Sequence, residues 1–406
     1  MSVVLPARAP LRVLIVHNAY QLRGGEDSVV EAESALLSKF GHAVEVWTRH
    51  NDDVKTMSTL SVAAQTMWSG STWRELAQRV RAFRPDVIHV HNTLPLVSPS
   101  VFWAADHLGV PVVQTLHNFR LMCPQATFLR EEQVCEDCLG KAFPWPAIRH
   151  RCYRNSAMQT AAVAGTVAFH RAIGTWDRKV TRYIALNNFC KSKFVAGGLP
   201  ADKIDVKPNF VDQDAAPVWE GRRGGLYVGR LSVEKGVQTL MQAMSLFPAH
   251  DLKIIGAGPL EDCVKDVAGA DWLGPQPLKE VFVHLSKASF LLLPSSCYEG
   301  FPRTLVEAFS LGVPVIASRH GSLLELVEEG RTGLLFDPGH PEDLARCIEW
   351  AQTHPDEMLA MGRTARRVYE DRYTPAQNVS ELLGIYDRAR QQYGIARPGA
   401  EVDRVH

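Results

Sequence analysis

The chain has 406 residues, enough for two ordinary domains, each with its own core. Its 44 basic and 44 acidic residues cancel, and 46% hydrophobic against 22% charged residues, without a low-complexity tract, is a globular composition. That balance excludes wholesale disorder and gives no footing for a nucleic-acid-binding protein; only a local basic patch is left to consider.

The opening MSVVLPARAPLRVLIVHNAY has no basic stretch ahead of its apolar run and does not read as a signal peptide. RVLIVHN (12–18) reads as a buried strand, and SVVEAESALLSKFG as a helix closed by a glycine. AVEVWTR (43–49), DVIHVHN (86–92), VPVVQTLHN (110–118) and RYIALNN (182–188) continue the strands, with helical patterns between several of them. Such alternation implies a parallel sheet covered on both faces.

Before the last of these strands lies AMQTAAVAGTVAFHRAIG, from Ala157. Gln159, Thr160, Thr166, His170 and Arg171 break it, so it is not a membrane span. It reads as a helix packed inside a domain, since its polar residues form no wide charged face. The competing reading is a helix on a membrane surface, with Arg149, His150, Arg151 and Arg154 just upstream supplying the attraction.

KPNFVDQDAAPVWEGRRGG carries no period and serves as a linker. The rhythm then restarts with strands in GGLYVGR, DLKIIGAG, ASFLLLP, VPVIAS and TGLLFDP and helices in VQTLMQAMSLF, LKEVFVHLSKA and TLVEAFSLG. The expected fold is therefore α/β: two Rossmann-like, doubly wound domains facing across a cleft, with ligands at the carboxyl ends of strands. Residues 1–212 form the N-terminal domain, including a cysteine-rich loop over 123–152, and residues 213–372 the C-terminal domain. A helix over 373–396 packs back on the N-terminal domain, and 397–406 is a tail.

Chemistry concentrates in SSCYEGFPRTLVEAF. The strand FLLLP stops, Gly300, Phe301 and Pro302 make a turn, and Pro302 suits a first helical residue whose neighbours offer free N–H groups to an anion. Glu299 ahead of the turn and Glu307 on the second helical turn can each grip hydroxyl groups, one acid per sugar ring. Taken alone, they read instead as a dipole-complementing acid and a solvated helix residue. They are not alone: in LYVGRLSVEKG, Arg230 and Lys235 share one strand-to-helix loop, a site for a diphosphate.

GRLSVEKG, IIGAGP and EGFPRTLVEAFSLGVPVIAS together resemble the donor domain of a family 4 glycosyltransferase (glycosyl transferases group 1) of the GT-B fold, a retaining, nucleotide-sugar-dependent group. The resemblance runs from residue 12 to about 390 and meets the family's Glu-x7-Glu signature. It implies that Arg230 and Lys235 hold the diphosphate, that Glu299 contacts the transferred sugar, and that Glu307 contacts the ribose, with Gly300 and Phe301 in the same donor site. It implies further that Gly24 and Gly25 of GGED face the phosphates and acceptor, and that His117 lies near the reacting end of the sugar. His117 and Glu299 are then the catalytic candidates. Asn118 stands where the family often has Asp, and Phe210 where its linker motif has Gly; neither carries the chemistry.

The implied activity is that of a hexosyltransferase moving sugar to a glycan, a lipid-linked saccharide or a small molecule in polysaccharide or glycoconjugate biosynthesis. The implied place is cytoplasmic or peripheral at the inner membrane face. Fixed cations and amides can stabilise the leaving diphosphate, so no metal or other cofactor is required for catalysis. The pair Asp212 and Asp214 reads as a solvated linker. With no obvious second carboxylate for a double displacement, attack on the face from which the diphosphate leaves is preferred. A silent nucleotide-sugar-binding protein is the alternative; a nicotinamide-dependent oxidoreductase is disfavoured, because GAGPLE lacks the third glycine of its fingerprint.

His17, His89 and His91, at or beside strand ends, read as hydrogen-bonded structural histidines. Cys123, Cys135, Cys138 and Cys152 fall together around a C-x2-C pair, at spacings that suit a structural zinc with four thiolates as well as reduced thiols buried for packing, with an occasional disulfide as a third choice. The loop that carries them follows His117 and is expected to shape the acceptor site.

Overall fold

The computed structural model describes residues 9–21, 24–213, 215–249 and 251–394. The first eight residues, Asp214, the end of the expected last helix and the tail expected over 397–406 lie outside the described residues. The chain forms two compact units. The first takes the residues up to Ala126, Asp137–Pro208 and those from Pro375 onward; the second takes Thr127–Glu136 and Asn209–Thr374.

In the first unit, β1 (Arg12–Ala19), β2 (Ala43–His50), β3 (Val87–Val90) and β4 (Val112–Leu116) alternate with helices. A two-residue antiparallel ribbon, β5 (Leu129–Arg130) with β6 (Gln133–Val134), follows in the second unit. β7 (Arg182–Ala185) and β8 (Ile204–Val206) complete the first sheet, in the order β2-β1-β3-β4-β7-β8 with every pair parallel. Val13 to Val16 are wholly buried because helices cover both faces, whereas the edge strand β2 buries only Trp47. β8 escapes the hydrophobic pattern: it is three residues long, and its centre, Asp205, is ion-paired with Arg182 at 2.5 Å.

The second sheet contains β9 (Gly225–Val228), β10 (Leu252–Ile255), β11 (Phe290–Leu293), β12 (Val315–Ser318) and β13 (Gly333–Phe336), again all parallel, in the order β10-β9-β11-β12-β13. Each sheet changes direction beside its first strand, between β1 and β3 and between β9 and β11. In doubly wound folds the crevice at the carboxyl ends of such a pair is where ligands bind.

The unit boundaries differ from the expected residue 212. Val211 is already tied to the second unit, its carbonyl accepting from Tyr369 Oη at 2.9 Å. Residues 127–136 group there too: Phe128 is fully buried, with its ring edge-on to Tyr298 at 5.9 Å. The last helix, Pro375–Gln392, lies in the first unit against the helix Gly25–Lys39, β3 and β4. Among the described residues no helix is long and apolar enough to cross a membrane.

Beneath that last helix lies a buried ion pair. Lys207, one residue past β8, donates to Glu33 of the helix Gly25–Lys39 at 2.7 Å, with side-chain exposures of 0% and 1%. Removing one partner strands the other charge in the core. Lys207→Met is expected to cost about 3–5 kcal/mol by denaturant unfolding, and Lys207→Met with Glu33→Leu to recover much of it.

Candidate active site

The second unit's site is built where β9 and β11 end. After β9 the chain passes Gly229 and Arg230 into a short turn, Val233–Lys235, and then the helix Val237–Leu246. After β11 it passes Pro294 to Pro302 into the helix Arg303–Ser310. Pro302 thus precedes the first helical residue, one position earlier than expected. Gly236 holds the two loops together: its φ is +67°, and a Cβ there would fall on the carbonyl oxygen of Pro294. Ser296 N donates to the Glu234 carbonyl at 3.0 Å across the same seam.

This seam brings Lys235 Nζ to 2.7 Å from Glu299 Oε1, which also accepts from Ser295 Oγ at 2.5 Å. Ser322 Oγ donates to the Glu299 carbonyl and His320 Nε2 to the Ser295 carbonyl, both at 2.7 Å, so β12's loop braces the acid from behind. Burial works to raise the Glu299 pKa, but the Lys235 charge and the two hydrogen bonds outweigh it, and the carboxyl titrates below its ordinary range. For Lys235 burial works downward, and Glu299 raises the pKa above the usual lysine value. The pair is a fixed ammonium and carboxylate.

Arg230 is exposed, and its guanidinium joins no ion pair among the described residues. Glu307 is 6% exposed, with Arg303 one turn earlier at 3.8 Å; burial raises its pKa, which Arg303 only partly offsets. Gly300 is partly exposed, while Phe301 is buried with its ring edge-on to Tyr373 at 5.7 Å, anchoring the turn. The helix Arg303–Ser310 has no side-chain cap, which leaves its first amides available to an anion.

The first unit's site is built the same way at the ends of β1 and β3. Gly24 N donates to Asp27 Oδ2 at 2.7 Å, and Asp27 Oδ1 accepts from His17 Nε2 at 2.8 Å. Glu26 accepts from Tyr20 Oη at 2.8 Å and from Asn118 Nδ2 at 2.7 Å, while burial raises its pKa. A Cβ on Gly25 would meet nothing within 4 Å, so the protein's own packing does not call for glycine there.

His117 lines a pocket with His91, Asn92, Gln114, Asn118 and Arg120. Burial pushes its pKa down to about 4, with Glu33 opposing and His17 and Lys207 reinforcing, so the imidazole is neutral at physiological pH. His91 Nδ1 lies 2.9 Å from His117 Nε2, and His91 Nε2 faces Glu33 Oε2 at 3.6 Å. Among the described residues Glu33, His89 and His91 are the one set of potential ligand atoms lying within 4.8 Å of one another. It does not suit a cation: Lys207 already compensates Glu33, and both His89 nitrogens are taken by Tyr386 Oη and Thr115 Oγ1 at 2.8 Å. Cys123 is buried in the first unit with Cys138 and Cys152 partly exposed; Cys135, partly exposed, belongs to the second.

Several of these partners were not singled out in the sequence. Arg303 stands four residues before Glu307, and Ser295 four before Glu299, spacings open to inspection. His89 and His91, which the sequence had marked as structural histidines, stand two positions apart, His89 on β3 and His91 one residue past its end. Ser322, His320 and the Glu33–Lys207 pair depend on contacts far apart in the chain and left no local signal.

Two family profiles match the chain: "Glycosyltransferase Family 4" over residues 23–215 and "Glycosyl transferases group 1" over residues 214–368. It is 25% identical over 314 residues to a sulfoquinovosyl transferase of Arabidopsis thaliana, covering 73% of this chain and 55% of that protein. It is 24% identical to a D-inositol 3-phosphate glycosyltransferase of Gordonia bronchialis, covering 93% and 86%. The chain thus spans about half the length of the Arabidopsis relative. Among solved structures, sucrose-phosphate synthase of Thermosynechococcus elongatus superposes with a TM-score of 0.70 at 17% identity, covering 95% and 100% of the two chains. Anabaena HepE in complex with UDP gives 0.62 at 17%, covering 92% and 100%. At such identities the likeness speaks for the fold.

Burial depresses the pKa of His89, His91 and His117 below 6.5. Between 6.5 and about 4 the unfolded chain therefore takes up protons that the folded His117 refuses, and stability falls as pH drops through that window. The limiting slope is about 1.4 kcal/mol per pH unit for each such imidazole. Urea midpoints measured from pH 7 down to pH 4 should fall, and His91→Asn should flatten the curve; a flat wild-type profile would contradict the burial argument.

Proposed function

The chain belongs to the glycosyl transferases group 1, with a family 4 N-terminal half and the GT-B fold, and from that premise we propose that it is a retaining hexosyltransferase. It takes a nucleoside-diphosphate sugar and glycosylates a glycan, a lipid-linked saccharide or a small molecule, in polysaccharide or glycoconjugate biosynthesis. The observation that carries this reading is the Lys235–Glu299 pair at 2.7 Å beside unpaired Arg230 and an uncapped helix N-terminus, all at the carboxyl ends of β9 and β11.

Breaking the bond between the anomeric carbon and the phosphate oxygen moves negative charge onto the leaving diphosphate. Arg230 and Lys235 neutralise it, and since they are held in place beforehand, little reorganisation is needed as charge develops. We assign the whole of that role to these cations and the helix amides, with no divalent ion required. Glu299 orients Lys235 and accepts a hydroxyl of the transferred sugar. Glu307 accepts the ribose diol, whose hydrogen bonds offset the burial that raises its pKa.

The acceptor oxygen forms its bond to the anomeric carbon on the face the diphosphate leaves, and its proton passes to the departing phosphate oxygen. His117, neutral at its pKa of about 4, would donate or accept a hydrogen bond near the reacting end rather than carry charge. Retention follows from same-face attack, and product anomeric configuration by NMR checks it. A glycosyl adduct on an enzyme carboxylate, found by mass spectrometry, would replace this route with a double displacement.

The donor is read by thermal shift against UDP-, GDP- and ADP-sugars, UDP-sugars first because Anabaena HepE has been solved with UDP-glucose. A ligand at about a hundred times its dissociation constant stabilises by roughly 2.7 kcal/mol. Glu307→Ala is expected to remove most of the shift, and Lys235→Ala to weaken binding of the free nucleotide diphosphate as well. Slow diphosphate release from the stabilising donor supports an enzyme; tight binding without turnover would leave a silent sugar-nucleotide binder. Among the described residues Cys123, Cys135, Cys138 and Cys152, read from their spacing as ligands of a structural zinc, do not bring three ligand atoms within 4.8 Å of one another, and metal analysis of the purified protein tests that reading. Stoichiometric metal in the purified protein supports it, and four titratable thiols without metal overturn it.

A further inference from the structure

The helix Ala157–Ala172 turns its polar side chains inward. Thr160 and Thr166, nearly fully buried, donate to the carbonyls of Ser156 and Ala162 at 2.7 and 2.9 Å, and buried His170 bonds Thr175 Oγ1 and the Met67 carbonyl, both at 2.8 Å. The stripe left toward solvent is apolar: Met158 is 68% exposed and Phe169 39%, with partly exposed Ala161 and Gly165 between them. No charge appears on the helix before Arg171. The helix Thr59–Met67, which packs against it, is also uncharged and leaves Leu60 83% exposed. The short helix Trp145–Arg149 packs on the same helix and leaves Trp145 67% exposed, its ring 4.6 Å from that of Phe143.

Along the stretch that carries Trp145 and Met158 the charge has one sign. Between Asp137 and Asp177 the sequence has no acidic residue, while Lys141, Arg149, Arg151, Arg154 and Arg171 are basic. Arg149, Arg151 and Arg154 are exposed and join no ion pair among the described residues. Docking of a second copy on this face would set like charges against like, which argues against self-association. A soluble polyanion would satisfy the arginines but leave Trp145, Met158 and Leu60 in water. An anionic lipid surface satisfies both: aromatic and aliphatic groups settle at headgroup level, and arginines pair with acidic headgroups.

We infer that this face of the first unit, Trp145 and Met158 with Arg149, Arg151 and Arg154, seats the protein on an anionic bilayer. The inference is independent of the donor chemistry. It also changes the expected form of membrane contact, since the exposed stripe of the helix, rather than a charged helix face, provides the apolar part.

The test is cosedimentation of the full chain with phosphatidylcholine vesicles and with vesicles containing phosphatidylglycerol. Binding is expected only to the second, weaker by about fivefold for each of Arg149→Gln, Arg151→Gln and Arg154→Gln, and lost in Trp145→Ser with Met158→Ser. All these side chains are exposed, so unchanged melting curves show that the variants fold. The inference is overturned by absence of binding to anionic vesicles, or by binding indifferent to the Trp145 and Met158 replacements. It is overturned equally by tight binding of heparin or RNA that competes with vesicles and survives the apolar replacements, or by dimers in sedimentation velocity that those replacements dissolve.

Discussion

The second unit depends on one close approach, the carbonyl of Pro294 occupying the space where any side chain on Gly236 would begin. That contact joins the loop after β9 to the loop after β11 and so decides that Lys235 and Glu299 meet. Once they meet, their opposed charges compensate for partial burial and each holds the other ionised, although burial alone pushes both toward neutrality. A cation kept charged and stationary in this way can receive a phosphate without first being ordered.

The first unit solves a related problem with different residues. Its loop amide at Gly24 is pinned by Asp27, which His17 pins in turn, while Glu26 is shared by Tyr20 and Asn118. Both arrangements sit where the strand order reverses, because only there do neighbouring loops diverge and leave a crevice. Behind the first, Glu33, Lys207, His89 and His91 form a buried polar layer reaching His117 through a single hydrogen bond of 2.9 Å. Burial keeps that histidine uncharged.

Much of this could be read in the chain before any coordinates. Parallel strands buried on both faces appear as continuous apolar runs, and all five strands of the second sheet and five of the six in the first coincide, to within one residue at an end, with segments chosen on that ground. β8 did not, because Asp205 interrupts it, nor did the ribbon of β5 and β6, each strand of which is two residues long. Arg230, Lys235, Glu299 and Glu307 were singled out because linear motifs carry them, and of these the structure joins Lys235 to Glu299. Their supports, His320 and Ser322, were not, since nothing in a sequence announces that β12's loop will lie behind Glu299. The helix Ala157–Ala172 shows a subtler limit: its threonines and histidine appear as interruptions of an apolar run, and only packing reveals that they face inward.

The second unit takes nearly all its residues from one uninterrupted stretch, Asn209–Thr374, whereas the first is finished by the helix Pro375–Gln392. Tyr386 on that helix meets His89 across 297 positions of sequence. On the ribosome, then, the first unit is completed only after the second unit's stretch has been made, and until the helix Pro375–Gln392 emerges its sheet lacks that cover and His89 the Tyr386 hydroxyl. The strands of the first unit are made well before the helix that covers them, and the burden of waiting falls on that unit.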